Sequence, residues 1–321
     1  MTPNPPEVRF SDYHPAPSDF FGEVIDGLSQ TQKRIPPKFF YDARGSQLFD
    51  AICELPEYYP TRTETRILKQ NAADIANAVG ENSFIIEPGS GSSHKIRLLL
   101  DTLKPHVYMP MDISREHLLN AANEIAVDFP WLEVHAACAD FTTELTIPEH
   151  HQHEHKIAFF PGSSIGNFEP TDAAGFLRHL GDIVGKGGGL LIGVDLKKDR
   201  EVLTAAYNDR SGITARFNKN LLIRINRELH GNFELDNYHH KAFYNENLGR
   251  VEMHLVSDGA QTVTVDGNTF NFTDGETIHT ENSYKYTVNE FEALASKAGY
   301  KLMKVWIDPN NLFSLQFYEF A

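Results

Sequence analysis

Residues 83–103, SFIIEPGSGSSHKIRLLLDTL, constrain the fold of this chain more than any other stretch. An apolar run, Phe84, Ile85 and Ile86, ends at Glu87, and a glycine loop follows through Gly89, Ser90, Gly91, Ser92 and Ser93. Beyond it Ile96, Leu98, Leu99, Leu100 and Leu103 recur at helical spacing. This order predicts a strand, a sharp loop and a helix N-terminus. Glycines let the backbone approach a ligand closely, and the free N–H groups of a helix start favour an anionic group. The loop is neither G-x-x-x-x-G-K-S/T nor a full G-x-G-x-x-G, because serines follow Gly91. Taken alone, it is either a nucleoside-cofactor site in a parallel α/β sheet or an ordinary strand-to-helix turn.

The neighbouring units alternate. Strands are expected over residues 107–111, 132–138, 156–160 and 189–194. Helices are expected over 46–53, 63–78, 114–129 and 171–184, with Ser114 capping the third and Thr171 or Asp172 the fourth. Such alternation builds an open parallel sheet, whose ligands sit beyond the carboxyl ends of the strands. Glu87, Asp112, Asp140, Gly162 and Asp195 all fall at those ends. Asp112 stands about 20 residues beyond the glycine loop, where an acid can take two ribose hydroxyls. Each acid alone could be a cap; their recurrence along one edge favours a cofactor site.

After Asp195 the rhythm changes. Residues 201–210 and 214–229 read as helices, the second with an apolar stripe of Phe217, Leu221, Leu222, Ile225 and Leu229. Residues 238–280 have period two, with turns at 247–249, 258–259 and 266–268, the last a hairpin signal. Helix returns over 288–298, and strands over 300–306 and 313–320 form an antiparallel pair at a sheet edge. The fold class is therefore α/β: a seven-stranded Rossmann-like sheet with an inserted mixed α+β substrate-binding domain over its carboxyl edge. By fold analogy such a sheet suits S-adenosylmethionine-dependent methyl transfer better than NAD chemistry. The expected division is residues 63–196 and 287–321 for the methyltransferase domain, 197–286 for the insertion, and 1–62 joining the insertion.

Composition narrows the class. The 321 residues are 41% hydrophobic, enough for one large or two modest domains with a sizeable core. A formal charge of -15 weighs against nucleic acid, which wants a basic face. Cys53 and Cys138 imply no disulfide framework. No apolar h-region or membrane-length stretch occurs, so a cytoplasmic protein with no signal peptide and no membrane partner is expected. Nothing demands a partner chain, and a monomer is expected. Residues 1–20 are proline-rich and read as a poorly ordered arm, with a first helix over 20–29. His151, His153 and His155 recur at spacing two, unlike a helical i,i+4 zinc pair, and residues 149–155 read as a solvated surface loop with no metal.

The chain resembles the histidine-specific Nα-methyltransferases, which trimethylate L-histidine to hercynine on the route to ergothioneine. The segments that carry the resemblance are KFFYDARGSQLFDAICELPEYYPTRTE, EPGSGSSHKIRLLLD, PGSSIGNFEP, GVDLKKD, ARFNKNLLIRINREL, RVEMHL and TENSYKY, which together run from about residue 36 to the C-terminus. Two departures stand out: Glu87-Pro88 where actinobacterial members tend to carry Asp-Leu, and the histidine loop, which they lack. The resemblance implies S-adenosylmethionine held by Gly89, Gly91, Lys95, Asp112, Asp140 and Phe141. It implies L-histidine held at its reacting end by Asn167, Tyr41 and Tyr207, and at its imidazole by Tyr58, Glu281 and Ser283. Phe49 and Met253 would shape the apolar wall, and Asn167 and Tyr41 would serve catalysis.

The chemistry agrees with these roles. Methyl transfer from a sulfonium is an in-line displacement, and only a neutral amine has the lone pair. Asn167 and Tyr41 can orient that nitrogen without adding a charge that fixes it as ammonium. No dedicated base is evident. Glu281 and Ser283 are two apart, so on a strand they share a face and can clamp both nitrogens of an imidazole. Apart from the resemblance, a Glu281–Lys285 salt bridge and an ordinary Ser283 hydroxyl would also fit, as would Tyr58 as a packed aromatic and Asn167 as a turn residue. The rival functions are a relative acting on a tryptophan-derived amine or another histidine derivative, an NAD-dependent dehydrogenase, and a silent binding protein that kept the fold.

Overall fold

The structure, a computed structural model, describes residues 8–13, 19–140, 151 and 154–321. Its large sheet follows the strand–helix alternation: β1 (Arg9–Asp12), α1 (Phe20–Ser29), β2 (Lys33–Arg34), α2 (Ala43–Cys53), α3 (Tyr59–Val79), β3 (Phe84–Pro88), α4 (His94–Leu103), β4 (Val107–Asp112), α5 (Arg115–Asp128), β5 (Glu133–Cys138), β6 (Lys156–Phe160), α6 (Pro170–Val184) and β7 (Gly189–Asp195). The chain closes with α9 (Val288–Lys297), β13 (Tyr300–Ile307) and β14 (Phe313–Phe320). Strand order is β1-β5-β4-β3-β6-β7-β14-β13, and β14 alone runs antiparallel to its neighbours. The order reverses at β3, so the glycine loop sits at the switch point where a crevice opens. Every residue of β3, β6 and β7 is buried, as expected of strands covered by helices on both faces. No helix among the described residues is long and apolar enough to cross a membrane.

Between β7 and α9 lie α7 (Arg200–Tyr207), α8 (Ile213–Glu228), β8 (Tyr238–Asn245), β9 (Arg250–Ser257), β10 (Gln261–Val265), β11 (Asn268–Phe272) and β12 (Thr277–Tyr284). A second sheet has the order β2-β12-β9-β8. The β10–β11 ribbon turns at Asp266 and Gly267, both with positive φ, as the Asp-Gly pair requires. One apolar cluster joins Phe20, Phe39, Phe40 and Tyr59 to Phe217, Leu221, Met253 and Ile278, so residues 20–59 and the insertion share a core. The chain leaves the large sheet and returns to it side by side: Tyr286 N donates to Asp195 O at 3.2 Å, and Lys197 N to Tyr286 O at 3.0 Å.

Several expectations need correction. The large sheet has eight strands among the described residues, because Arg9–Asp12, expected in a poorly ordered arm, pairs in parallel with β5. That segment is free of proline, and Ser11 and Arg9 reach His135 and Glu133 at 2.8 and 2.7 Å. Helix α3 begins at Tyr59 with Pro60 in its first turn, where a missing N–H costs nothing. Helix α7 stops at Tyr207 because Asp209 instead caps α8, accepting from Ile213 N and Thr214 N at 2.9 and 2.8 Å. The Ser114 side chain makes no cap bond; Asp112 Oδ1 accepts from Ser114 N at 2.9 Å. Helix α6 starts at Pro170, so neither Thr171 nor Asp172 is its cap. His151 is not solvated: it is 2% exposed, packs on Phe84 with ring centroids 5.0 Å apart and lies 2.9 Å from Glu154. His150 and His153 lie outside the described residues.

Candidate active site

At the switch point, Gly89 and Gly91 have φ of 63° and 50°, and a Cβ on Gly91 would meet nothing within 4 Å. Asp112 closes β4 beside them, its Oδ2 accepting from Gly91 N at 3.3 Å. The Ser90 hydroxyl is buried with no hydrogen-bond partner, and Ile113, next to Asp112, is 60% exposed. A carboxylate, an unpaired buried hydroxyl and a bare apolar side chain around an open glycine loop fit a nucleoside with ribose hydroxyls and an aromatic base. Asp140 follows β5 at the same edge, whereas Phe141 lies outside the described residues. Lys95 pairs with buried Glu64 at 2.6 Å, and Glu64 accepts from Gly162 N at 2.9 and 3.0 Å. The glycine loop's helix is thereby tied to the loop after β6. Beneath it, burial pushes the Glu87 carboxyl up to about 8, while the Tyr108 hydroxyl donates to it.

A second cavity lies alongside, lined by Tyr41, Phe49, Tyr58, Asn167, Tyr207, Glu281 and Ser283, with Gly162, Asp195 and Lys285. The aromatic side is built by edge contacts: Tyr41–Phe49, Phe49–Tyr58 and Tyr58–Tyr207 centroids lie 5.6, 6.3 and 6.2 Å apart. Tyr41, 47% exposed, stands at the mouth. Burial, with lesser contributions from neighbouring acidic groups, raises the Tyr58 pKa, so it stays a neutral phenol. Asn167 ends a tight turn, residues 164–167, that is pressed on β12; a Cβ on Gly166 would lie 2.7 Å from Tyr284 O. Glu169 pins this loop further, taking bonds from Asn282, Arg250 and the Tyr284 hydroxyl at 2.8, 3.1 and 2.5 Å. Met253 is not among the lining residues; it is 2% exposed and opposes Glu281 in the strand register.

The polar wall depends on a bulge in β12. His279 pairs with His254 and Glu281 with Met253, so Thr280 is an extra residue. Directly opposed residues share a face, and Met253 and Val251 belong to the inner apolar cluster. Glu281 and Ser283 therefore face inward, whereas unbroken alternation from Ile278 would have turned both outward. Burial pushes the Glu281 carboxyl up to about 7, with Lys285 acting the other way. Lys285 is not bridged to Glu281 but to Asp195, at 2.8 Å. Its Nζ also donates to the Tyr207 hydroxyl at 2.9 Å and to Ser283 Oγ at 2.8 Å, and those two oxygens are 2.8 Å apart. Asp195 is lowered despite its burial by Lys285 and then Lys198, which sits 2.6 Å away. Burial brings Lys198 itself down to about 8, against the pull of Asp195. Asp195 was visible in the sequence only as one of several strand-end acids. The signal for Lys285 was its place in the alternating run 281, 283, 285.

On the outer face of the second sheet, Glu252, His254 and His279 hold potential ligand atoms within 4.8 Å of one another. The two rings are stacked, centroids 4.6 Å apart at 11°, so their in-plane lone pairs do not converge on one point. Glu252 is already held by Arg250 and Asn245 at 2.9 and 3.0 Å and pairs with His254 at 3.1 Å. This is the geometry of a hydrogen-bonded stack.

The sequence pattern of the family described as "Histidine-specific methyltransferase, SAM-dependent" matches residues 20–320. The histidine N-alpha-methyltransferase of Mycolicibacterium smegmatis is 40% identical over 299 residues, covering 91% of this chain and 92% of that protein. The histidine N-alpha-methyltransferase of Mycobacterium tuberculosis is 40% identical over 300 residues, with the same shares of 91% and 92%. The 4-dimethylallyltryptophan N-methyltransferase of Claviceps purpurea is 27% identical, covering 88% of this chain and 90% of that protein. With a glycine loop at the switch point of the sheet and the family pattern spanning nearly its whole length, the chain belongs to the histidine-specific, S-adenosylmethionine-dependent methyltransferases.

Proposed function

We propose that the protein methylates the α-amino nitrogen of L-histidine, three times in succession, to give N,N,N-trimethyl-L-histidine. The supporting observation is convergence: Tyr41, Phe49, Tyr58, Asn167, Tyr207, Glu281 and Ser283, from widely separated stretches, line one cavity beside the cofactor crevice. Residues 197–286 with the N-terminal segment act as the substrate-binding unit. Gly89, Gly91, Lys95, Asp112, Asp140 and Phe141 hold the cofactor, with Ile113 against its base. S-adenosylmethionine, when bound, supplies an electrophilic methyl on sulfur.

The chain's own residues then position and shield. The Asn167 amide and the Tyr41 phenol hold the amine through neutral groups, so its lone pair is not fixed in an ammonium, and the Tyr58 phenol lies against the imidazole. Glu281 accepts an imidazole N–H, and Ser283 meets the other ring nitrogen. Tyr207, beside the Lys285 ammonium, faces the substrate carboxylate. The rings of Tyr41, Phe49 and Tyr58 give the growing quaternary ammonium an aromatic surface, which such cations favour. A larger apolar ring, as in a tryptophan derivative, would leave Glu281 and Ser283 unpaired.

Mass spectrometry of the purified protein with S-adenosylmethionine and each of the twenty amino acids tests this reading. Histidine alone should gain one, two and then three methyl increments, all placed on the α-nitrogen by fragmentation. Unmodified histidine, with the cofactor still bound, would refute the substrate and leave the fold.

A further inference from the structure

We propose that Lys285, held by Asp195, is a specificity-determining residue: it commits the Tyr207–Ser283 pair to donating a hydrogen bond into the cavity. The pocket then reads a neutral imidazole by opposite polarity at its two nitrogens. This rests on the histidine reading above.

The argument is a count of protons. An ammonium has three and accepts none. Lys285, 2% exposed, directs its Nζ to Asp195 Oδ2 at 2.8 Å, the Tyr207 hydroxyl at 2.9 Å and Ser283 Oγ at 2.8 Å, which engages all three. Both hydroxyl oxygens thus already accept one bond from the cation. They lie 2.8 Å apart, so one of their two protons is shared between them. The other hydroxyl proton is left without an acceptor in the cluster, and both side chains line the cavity. Where Tyr207 gives its proton to Ser283, Ser283 carries the free one and presents a donor to the ring nitrogen that Glu281 does not take.

Two residues earlier on the same strand face, Glu281 presents a carboxyl group. The wall therefore offers an acceptor at one end and a donor at the other. A neutral imidazole carries one N–H and one bare nitrogen, and answers both. An imidazolium brings two N–H groups, one of which meets the donor head on. A five-membered ring without nitrogen answers neither, and leaves buried polar groups unpaired. Without a cation at position 285, the two hydroxyls recover free lone pairs and can turn to accept or donate. The polarity of the wall is then no longer set.

Calorimetric titration tests this with two ligands of similar ring size, L-histidine and β-(2-thienyl)-L-alanine, into protein saturated with S-adenosylhomocysteine. In Lys285→Met the preference for histidine should fall by roughly tenfold or more, the usual effect of losing one buried hydrogen-bond partner. Affinity for S-adenosylhomocysteine should stay within about twofold; the thienyl ligand shares the carboxylate that Tyr207 faces, so the readout is the ratio of the two amino-acid affinities and not either one alone. If Lys285 only staples the chain where it rejoins the large sheet, both amino-acid affinities will fall together and the preference will hold, which overturns the proposal. Should Lys285→Met not fold, Lys285→Gln decides: its amide accepts as well as donates, so the two hydroxyl oxygens are no longer both held as acceptors and the preference falls likewise. An unchanged preference in a folded Lys285→Gln is equally fatal. Wild-type protein that binds S-adenosylhomocysteine but no histidine refutes the histidine reading itself.

Discussion

A carboxyl group with a pKa near 7 changes role within the range where enzymes work, and Glu281 is pushed up to about 7 by burial. Its proton leaves as pH rises through that value, so the acceptor for an imidazole N–H is gained on going from pH 6 to 8. Histidine KM should fall over the same interval, and Glu281→Gln should flatten that change while raising KM at pH 8 by roughly tenfold. Stability runs the other way. A carboxyl whose folded pKa lies above its unfolded one stabilises the fold below the unfolded pKa and loses that contribution as pH rises towards 7. Glu281→Gln should therefore raise the Tm of the ligand-free protein at pH 8 while leaving it little changed at pH 4. A Tm at pH 8 that falls with the substitution would show that Glu281 is not held against its own ionisation. This residue's identity and facing partner Ser283 were legible from their spacing. The partner of Lys285 was not, because Asp195 is remote in sequence and only the folded chain brings the two together.

Among the elements, the tight turn carrying Asn167 and strand β12 behave as one assembly, with Gly166 as the point of closest approach. A methyl group there would lie 2.7 Å from the Tyr284 carbonyl oxygen and 3.2 Å from its nitrogen, and backbone cannot yield as a side chain can. Gly166→Ala should lift the turn from β12 and cut kcat at least tenfold, since small misplacements of reacting groups are costly. Affinity for S-adenosylhomocysteine should hold; a kcat within twofold of wild type would mean that the turn has slack. Most elements were readable because buried parallel strands are continuous apolar runs and helices show their stripe. What escaped depended on partners. Strand β1 is four residues between proline-rich flanks, and only its pairing with β5 makes it a strand. Helix α7 ends early because Asp209 serves its successor. The bulge at Thr280 is a mismatch between two strands, and neither strand alone contains it.

The whole molecule places its glycine loop on one sheet, while the cavity beside it takes Glu281 and Ser283 from the other. Most of the rest of the lining comes from α2, α7 and the intervening turns, and on the proposed function ligand binding should register where these meet. Hydrogen exchange should slow in β12 and in residues 164–167 when histidine and S-adenosylhomocysteine are added together, while the β10–β11 ribbon keeps its rate. Equal slowing everywhere would mean global stabilisation instead of closure over the cavity. The two segments that leave and rejoin the large sheet lie side by side, joined by the Tyr286–Asp195 and Lys197–Tyr286 bonds. Topologically, everything between them is a loop that could be exchanged without rethreading the sheet. Yet its apolar cluster is completed by Phe20, Phe39, Phe40 and Tyr59, from the other side of the cofactor half in sequence. A recombination breakpoint anywhere between residues 60 and 195 would part Tyr41, Phe49 and Tyr58 from Tyr207, Glu281 and Ser283. On the proposed function, substrate choice in this scaffold is inherited as two separated segments that have to travel together, so chimaeras joined between residues 60 and 83 or between 170 and 195 should keep the cofactor and lose the amino acid.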